Sequence, residues 1–489
     1  MRHIYPPPQY MVDKTEAITP EMVDVSAAAA PPAGPRQPSR SIERKPNTDL
    51  SDSLEVFRKD EGVVDFRTVE WVHASVIFMK ALFATGVLSI PSALYTLGAL
   101  PGAVNVVGWC LLNTHCAVVQ GAFRSRHPGC HSVGDMAAVV GGPWLREVVG
   151  VLFLLTWSIA SASGVFGSAV ALNALSDHAA CTNYFMLVSA VAIFLLASVR
   201  KYQMMAWLTW VGFLSIFTAV FIVVIGVAVR DRPAAAPQTS DFDLGYRVIG
   251  NPDFVAGITA VATIFSAGAG TSAFVPVISE MRQPRDYNKA VYLAMGIVSA
   301  SYLTFSLVVY RWCGRWVASP SLGSAGGTVK KVSYGVGMIG LLVSACIWVH
   351  TAAKYLFVRI LRGSKHLQAN SAIHWATWLG CTFVLSAVAF LLAVAIPIFN
   401  YLVALCGSLT FAPLALGLPA VLFIHDHPEW RKDGNMWMSL VYWLNWLLVP
   451  LAAFLTVGGT YGVVQGVIDA YKTGNIGGAF SCADNSGSS

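Results

Sequence analysis

The sequence predicts an all-α integral membrane protein of about eleven transmembrane helices, and three observations carry that prediction. Hydrophobic residues make up 55% of the chain and charged residues 12%, about half the roughly 25% charged fraction of soluble domains. Eleven apolar runs approach the ~20 residues that a bilayer core demands. Two of them, the first and the sixth, hold helix-loosening residues near mid-membrane: Thr85-Gly86-Val87-Leu88-Ser89-Ile90-Pro91 and Ser266-Ala267-Gly268-Ala269-Gly270.

Residues 1–70 come first and have no apolar run. They are rich in Pro, Ala and charge (Pro6-Pro7-Pro8, Ala27–Pro32, Arg40–Lys45), the composition of a disordered tail. Nothing there resembles the apolar core and small-residue site of a cleavable signal, so the first span is the expected insertion signal. The spans are expected at Ala74–Leu97, Val104–Gln120, Val148–Leu172, a short Phe185–Val199, Met204–Val229 and Phe254–Met281. Ala290–Tyr310, Val332–Ile360, Ile373–Ile396, Tyr401–Ile424 and Met438–Ile468 complete them. The transmembrane domain is thus 71–470, with 471–489 a short extracytoplasmic tail. Nine Lys and Arg in the N-terminal tail and thirteen in the loops on its side, against eight on the other, place the N-terminus in the cytoplasm. The net charge of +6 is therefore a topology signal rather than a nucleic-acid footprint.

Unwound backbone inside a bilayer survives only where protein, ion or ligand supplies hydrogen-bond partners, and a pair of such helices points to the binding site of a secondary transporter. At the first break, the N–H groups of Gly86, Val87 and Leu88 face the start of a half-helix expected near Ser89, whose partial positive charge suits a carboxylate. Carbonyls near Ala84 and near Phe265 or Ser266 suit an ammonium group, so the pair fits a zwitterionic α-amino acid. Gly268 and Gly270 leave room for its side chain, with Phe265 and Phe274 as candidate apolar walls.

Ionisable residues within spans are costly and usually functional. No Asp or Glu lies deep in a span; Glu280 marks the inner end of the sixth and is the candidate inner gate. Lys80, Lys354 and His350 are the candidate coupling residues, the last two sharing a helix face by their spacing of four; the bland alternative is that both lysines snorkel to the surface. His115 reads as a packing residue. The nine cysteines show no metal spacing. Cys181, Cys313 and Cys482 fall on the oxidising side, and with Cys313 at a helix end, Cys181 and Cys482 are the expected disulfide. Gly335-Val336-Gly337-Met338-Ile339-Gly340 fits a dinucleotide pattern but lies inside a span with no preceding strand. Gly458, Gly462 and Gly466 form a smooth packing stripe, facing either their own bundle or another subunit.

From Gly86-Val87-Leu88-Ser89-Ile90-Pro91 onward, with Leu97-Gly98 and Pro101-Gly102 downstream, the chain resembles the amino acid/auxin permease family, in particular its fungal neutral amino acid permeases. Glu280–Lys289, Ala353-Lys354-Tyr355, Arg359–Gly363, Ala395–Phe399, and Gly459-Thr460-Tyr461 through Phe480–Ala483 carry the same resemblance. It implies a leucine-transporter-like fold in which helices 1–5 and 6–10 are inverted repeats and helix 11 is peripheral. It also implies transport coupled to protons, with no cofactor beyond the proton and with sodium as the other coupling ion open. It leaves the substrate open among aliphatic, aromatic, basic and small amino acids, and the pair of breaks taken with the resemblance leads to the expectation of symport of neutral, aliphatic or aromatic, amino acids. The partners expected are an amino acid and the bilayer, and the plasma membrane is expected over the vacuolar one. A vacuolar exporter and a non-transporting sensor are the alternatives. A membrane-embedded enzyme would need a carboxylate pair, a metal cluster or a nucleophile–base set within the bilayer, and the lack of deep Asp or Glu counts against one.

Overall fold

The computed structural model describes residues 67–199, 202–431, 435–472 and 480–482. The tail expected over 1–70 lies outside them as far as residue 66, as does most of 473–489. Among the described residues every named element is helical, and the one β-type contact is an isolated bridge between Val69 and Met281.

The first span is a broken pair, α1 (Trp71–Leu82) and α2 (Thr85–Leu97), bent by 45°. Four helices follow: α3 (Ala99–Arg126), α4 (Val133–Ser176), α5 (Thr182–Ala197) and α6 (Tyr202–Ala228). The sixth span is α7 (Phe254–Gly268), a 3-10 turn at Gly270–Ala273, and α8 (Phe274–Glu280). Then come α9 (Tyr287–Cys313), α10 (Gly327–Leu361), α11 (Ala372–Ala395), α12 (Phe399–Asp426) and α13 (Met436–Lys472). Among the described residues nine spans are each long and apolar enough to cross a membrane, the bent pair makes a tenth, and α5, at 16 residues, is the short fourth. The chain is an integral, multi-pass membrane protein.

The third span begins far earlier than the expected Val148. A capping box between Ser132 and Asp135 starts α4, and the helix then kinks at Gly142, whose φ of 71° precedes Pro143. The stretch before the kink carries Asp135 and, just after it, Arg146 and Glu147, so hydropathy alone does not reveal it.

Lipid tails are as apolar as leucine, so helix association relies on close packing of small residues. α10 lies against both α4 and α6. A Cβ on Gly164 of α4 would fall 2.6 Å from Ala345 Cβ, and one on Gly340 would fall 2.9 Å from the Gly212 carbonyl oxygen of α6. The Gly335–Gly340 run is therefore helix-packing surface. The α13 stripe faces its own bundle: Gly462 packs on Ile258 of α7 and Gly466 on Tyr401 of α12. α12 itself widens into π-helical turns over Cys406–Gly417, around Pro413, the local adjustment that accommodates a missing N–H in a membrane helix.

Cys181, just before α5, is joined to Cys482, their Cα atoms 4.7 Å apart. The Phe480 N–H donates to Val394 O at the end of α11, and Asn183 Nδ2 donates to Phe480 O. Residues 480–482 are thus held against α5 and α11. Cys313 and the six other cysteines are free thiols.

Candidate functional site

The two breaks touch. A Cβ on Gly86 would lie 2.7 Å from both Cα and Cβ of Ala267, so glycine is what lets the start of α2 approach the end of α7. The bend sits three residues before Gly86, at Phe83–Ala84, where Ala84 is non-helical (φ −148°, ψ −111°). The second half-helix therefore begins at Thr85 rather than near Ser89. By helix geometry the donors left without intrahelical acceptors are those of Thr85, Gly86 and Val87; Leu88, expected among them, is instead the first residue whose N–H joins the ladder. Ser163 of α4 donates to Thr85 Oγ1 at 3.2 Å.

The carbonyls released by α1 are capped by side chains from three directions. Trp348 Nε1 of α10 donates to Ala81 O (3.0 Å), Tyr302 Oη of α9 to Leu82 O (2.6 Å), and Lys80 Nζ to Phe83 O (3.4 Å). Tyr302 Oη also lies 3.0 Å from Ala267 O. At the second break, Ser266 O accepts from the Ala269 N–H.

Between the breaks lies a cavity of about 30 Å³, lined by Leu82, Thr85, Gly86, Ser266, Ala267, Gly270, Trp348, Val403, Cys406 and Phe411, with Ala81, Ala160 and Ser163. It has room for roughly two waters, so a larger occupant requires the breaks to separate. No lining side chain is charged. Of the expected substrate-binding residues, Gly86, Ser266 and Gly270 belong to the wall. Phe265 does not: its ring is turned to Trp109 of α3, centroids 5.0 Å apart. Phe274 stacks on Phe78 of α1 at 4.0 Å. Gly268 faces Asn113 and Cys110 of α3. The aromatic walls are instead Trp348 and Phe411, which hydropathy could not single out because every span carries aromatics.

The deep charges do not snorkel. Lys80 is fully buried on the α6 side, its Cε 3.1 Å from where a Cβ on Gly212 would be, and among the described residues no carboxylate pairs with it. Lys354 Nζ is 2.6 Å from Glu280 Oε1, each side chain 1% exposed. Sequence reasoning named both residues and did not pair them. His350 shares the helix of Lys354 but sits edge-on to Trp378 of α11 at 5.0 Å and hydrogen-bonds the backbone at Ala197 and Val199. It thus faces away from the breaks. His115 contacts Asn445 of α13 at 3.2 Å, a packing role.

Backbone pairing closes the same end of the bundle. Val69 N–H donates to Glu280 O (2.9 Å), and Arg282 N–H donates to Val69 O (2.8 Å). The chain before α1 is thereby strapped to the end of α8. Outside the spans, burial pushes the nearby His131 imidazole down to about 3, with Lys354, Arg124 and Arg362 lowering it and Asp135 opposing; it adds no charge there. The opposite end holds a vestibule of about 660 Å³ lined by Ser92, Tyr95, Asp253, Thr259, Asn400 and Tyr401 among others. Among the described residues the vestibule opens at this end, whereas the Val69 pairing and the Lys354–Glu280 pair lie across the other.

Residues 67–465 match the family described as transmembrane amino acid transporter protein. A transmembrane transporter of Gibberella moniliformis is 47% identical, over 90% of this chain and 93% of that relative. The N amino acid transport system protein of Neurospora crassa is 28% identical, over 86% of this chain and 90% of that relative. Among solved structures, MhsT in complex with L-phenylalanine aligns with a TM-score of 0.48 at 12% identity, covering 82% of this chain and 98% of that one.

Proposed function

The chain belongs to the transmembrane amino acid transporter family, and from that premise we propose that it carries neutral α-amino acids by alternating access, coupled to protons. The observation that carries the neutral preference is the uncharged lining of the cavity between the breaks. A charged substrate side chain would be desolvated there without a partner, at a penalty of several kcal/mol.

The substrate carboxylate sits on the free N–H groups of Thr85, Gly86 and Val87, at the positive end of α2. Its ammonium faces the carbonyl end of α7 at Phe265 and Ser266, and its side chain lies between Trp348, Val403 and Phe411. Binding from the open vestibule draws α2 and α7 around the substrate. Release to the other side requires the Val69 strap and the Lys354–Glu280 pair to part, which makes Glu280 the inner gate together with Lys354.

Lys80 is the coupling residue that the geometry favours. Its ammonium reaches the first break and has one carbonyl contact at 3.4 Å, whereas Lys354 is held by a carboxylate and His350 by packing. The Lys and Arg distribution supports a cytoplasmic N-terminus, and the disulfide supports an oxidising space at the vestibule end, as at a plasma membrane.

A competition panel tests the specificity. Neutral amino acids should displace a labelled neutral substrate from the reconstituted protein, and Glu, Asp, Lys and Arg should not. Equal displacement by a charged amino acid would refute the neutral reading.

A further inference from the structure

Tyr302 is 1% exposed, and its hydroxyl meets one carbonyl from each broken helix: Leu82 O at 2.6 Å and Ala267 O at 3.0 Å. A phenol has one proton to donate, so the two carbonyls share it. The ring is stacked on Phe83 with centroids 5.6 Å apart and planes within 18°, so the first break itself fixes where the hydroxyl points. On either side, Ala81 O is taken by Trp348 and Phe83 O by Lys80. Three consecutive carbonyls of the first break thus already hold protein donors.

Carbonyls freed at half-helix ends are the groups that coordinate a sodium ion in carriers with broken helices. Two such oxygens, one from each break, converging on one point would begin a coordination shell. Here a hydroxyl proton stands at that point. We infer that Tyr302 is a positioning residue that joins the two broken helices in place of a monovalent cation. Sodium then has no role between the breaks. The hydroxyl also withholds Leu82 O and Ala267 O from the substrate ammonium and leaves it the Phe265 and Ser266 carbonyls; this last consequence rests on the proposed amino acid transport, and the bridge itself does not.

The test compares wild type with Tyr302→Phe, which keeps the ring and its stacking on Phe83. Thermal unfolding is followed in nanodiscs in sodium chloride and in choline chloride of equal strength, and KM and Vmax for a neutral amino acid are measured in proteoliposomes. Wild type should melt at the same temperature in both salts. Tyr302→Phe should melt lower than wild type in both, with KM raised about tenfold, the effect of one lost buried hydrogen bond, and Vmax changed less. Stabilisation of wild type by sodium over choline, or a variant that melts like wild type, overturns the bridge. Lower melting with an unchanged KM makes the hydroxyl a fold contact only and overturns the positioning role. If wild type moves no amino acid, the proposed function fails while the melting comparison still decides the bridge; if Tyr302→Phe does not fold, the wild-type salt comparison decides it.

Discussion

Lys354→Met should release the strapped end of the bundle. Its Nζ lies 2.6 Å from Glu280 Oε1 with both side chains 1% exposed, so removing one partner leaves the other buried without its counter-ion. Such a loss destabilises by about 3–5 kcal/mol, whereas replacing both partners by apolar residues is often neutral or better. If that energy is lost from the closed arrangement alone, the closed-to-open ratio falls at least about a hundredfold, each 1.4 kcal/mol being a factor of ten. Val69 is fully buried under the closure, so Val69→Cys in a nanodisc reports it through its rate of labelling by a polar thiol reagent. Labelling should accelerate strongly in Lys354→Met and in Glu280→Leu, and return towards the wild-type rate in the double variant. Single variants that label and melt like wild type, or effects that simply add, would refute the pair as the lock.

Gly86→Val should abolish transport while the protein still reaches the membrane, since the first added carbon already meets Ala267 backbone at 2.7 Å; wild-type uptake would place the site elsewhere. Lys80→Met should leave substrate binding largely intact but remove the dependence of uptake on external pH, with Lys354→Met and His350→Met retaining it; the opposite pattern would move coupling to α10. Reduction should expose two additional thiols in wild type and none in Cys181→Ser/Cys482→Ser, counted by mass after alkylation; an unchanged wild-type count would exclude the bridge.

Much of this frame was legible because a bilayer allows few solutions. Glycines and small polar residues mid-span demanded an explanation, and Gly86, Ser266 and Gly270 do line the cavity. The exact bend was not legible. The carbonyls just before the non-helical Ala84 are taken by Lys80, Tyr302 and Trp348, and the last two lie more than 200 residues away in sequence. Phe265 and Phe274 were placed on the wall by proximity, but the rotation of α7 and α8 turns them toward Trp109 and Phe78. Lys354 and Glu280 were recognised separately, since nothing local sets a contact between residues on two different spans. The start of α4 escaped detection because its first turns lie before a kink and carry charge.

The central claim is that the touching breaks form a proton-driven path for neutral amino acids. Proteoliposomes holding the purified protein, loaded with neutral buffer and placed in acidic medium, test it most directly through accumulation of a labelled neutral amino acid. The account predicts accumulation above the external concentration, unchanged when choline replaces sodium and abolished by a protonophore. Equilibration without accumulation, or accumulation that needs sodium and survives the protonophore, would contradict it.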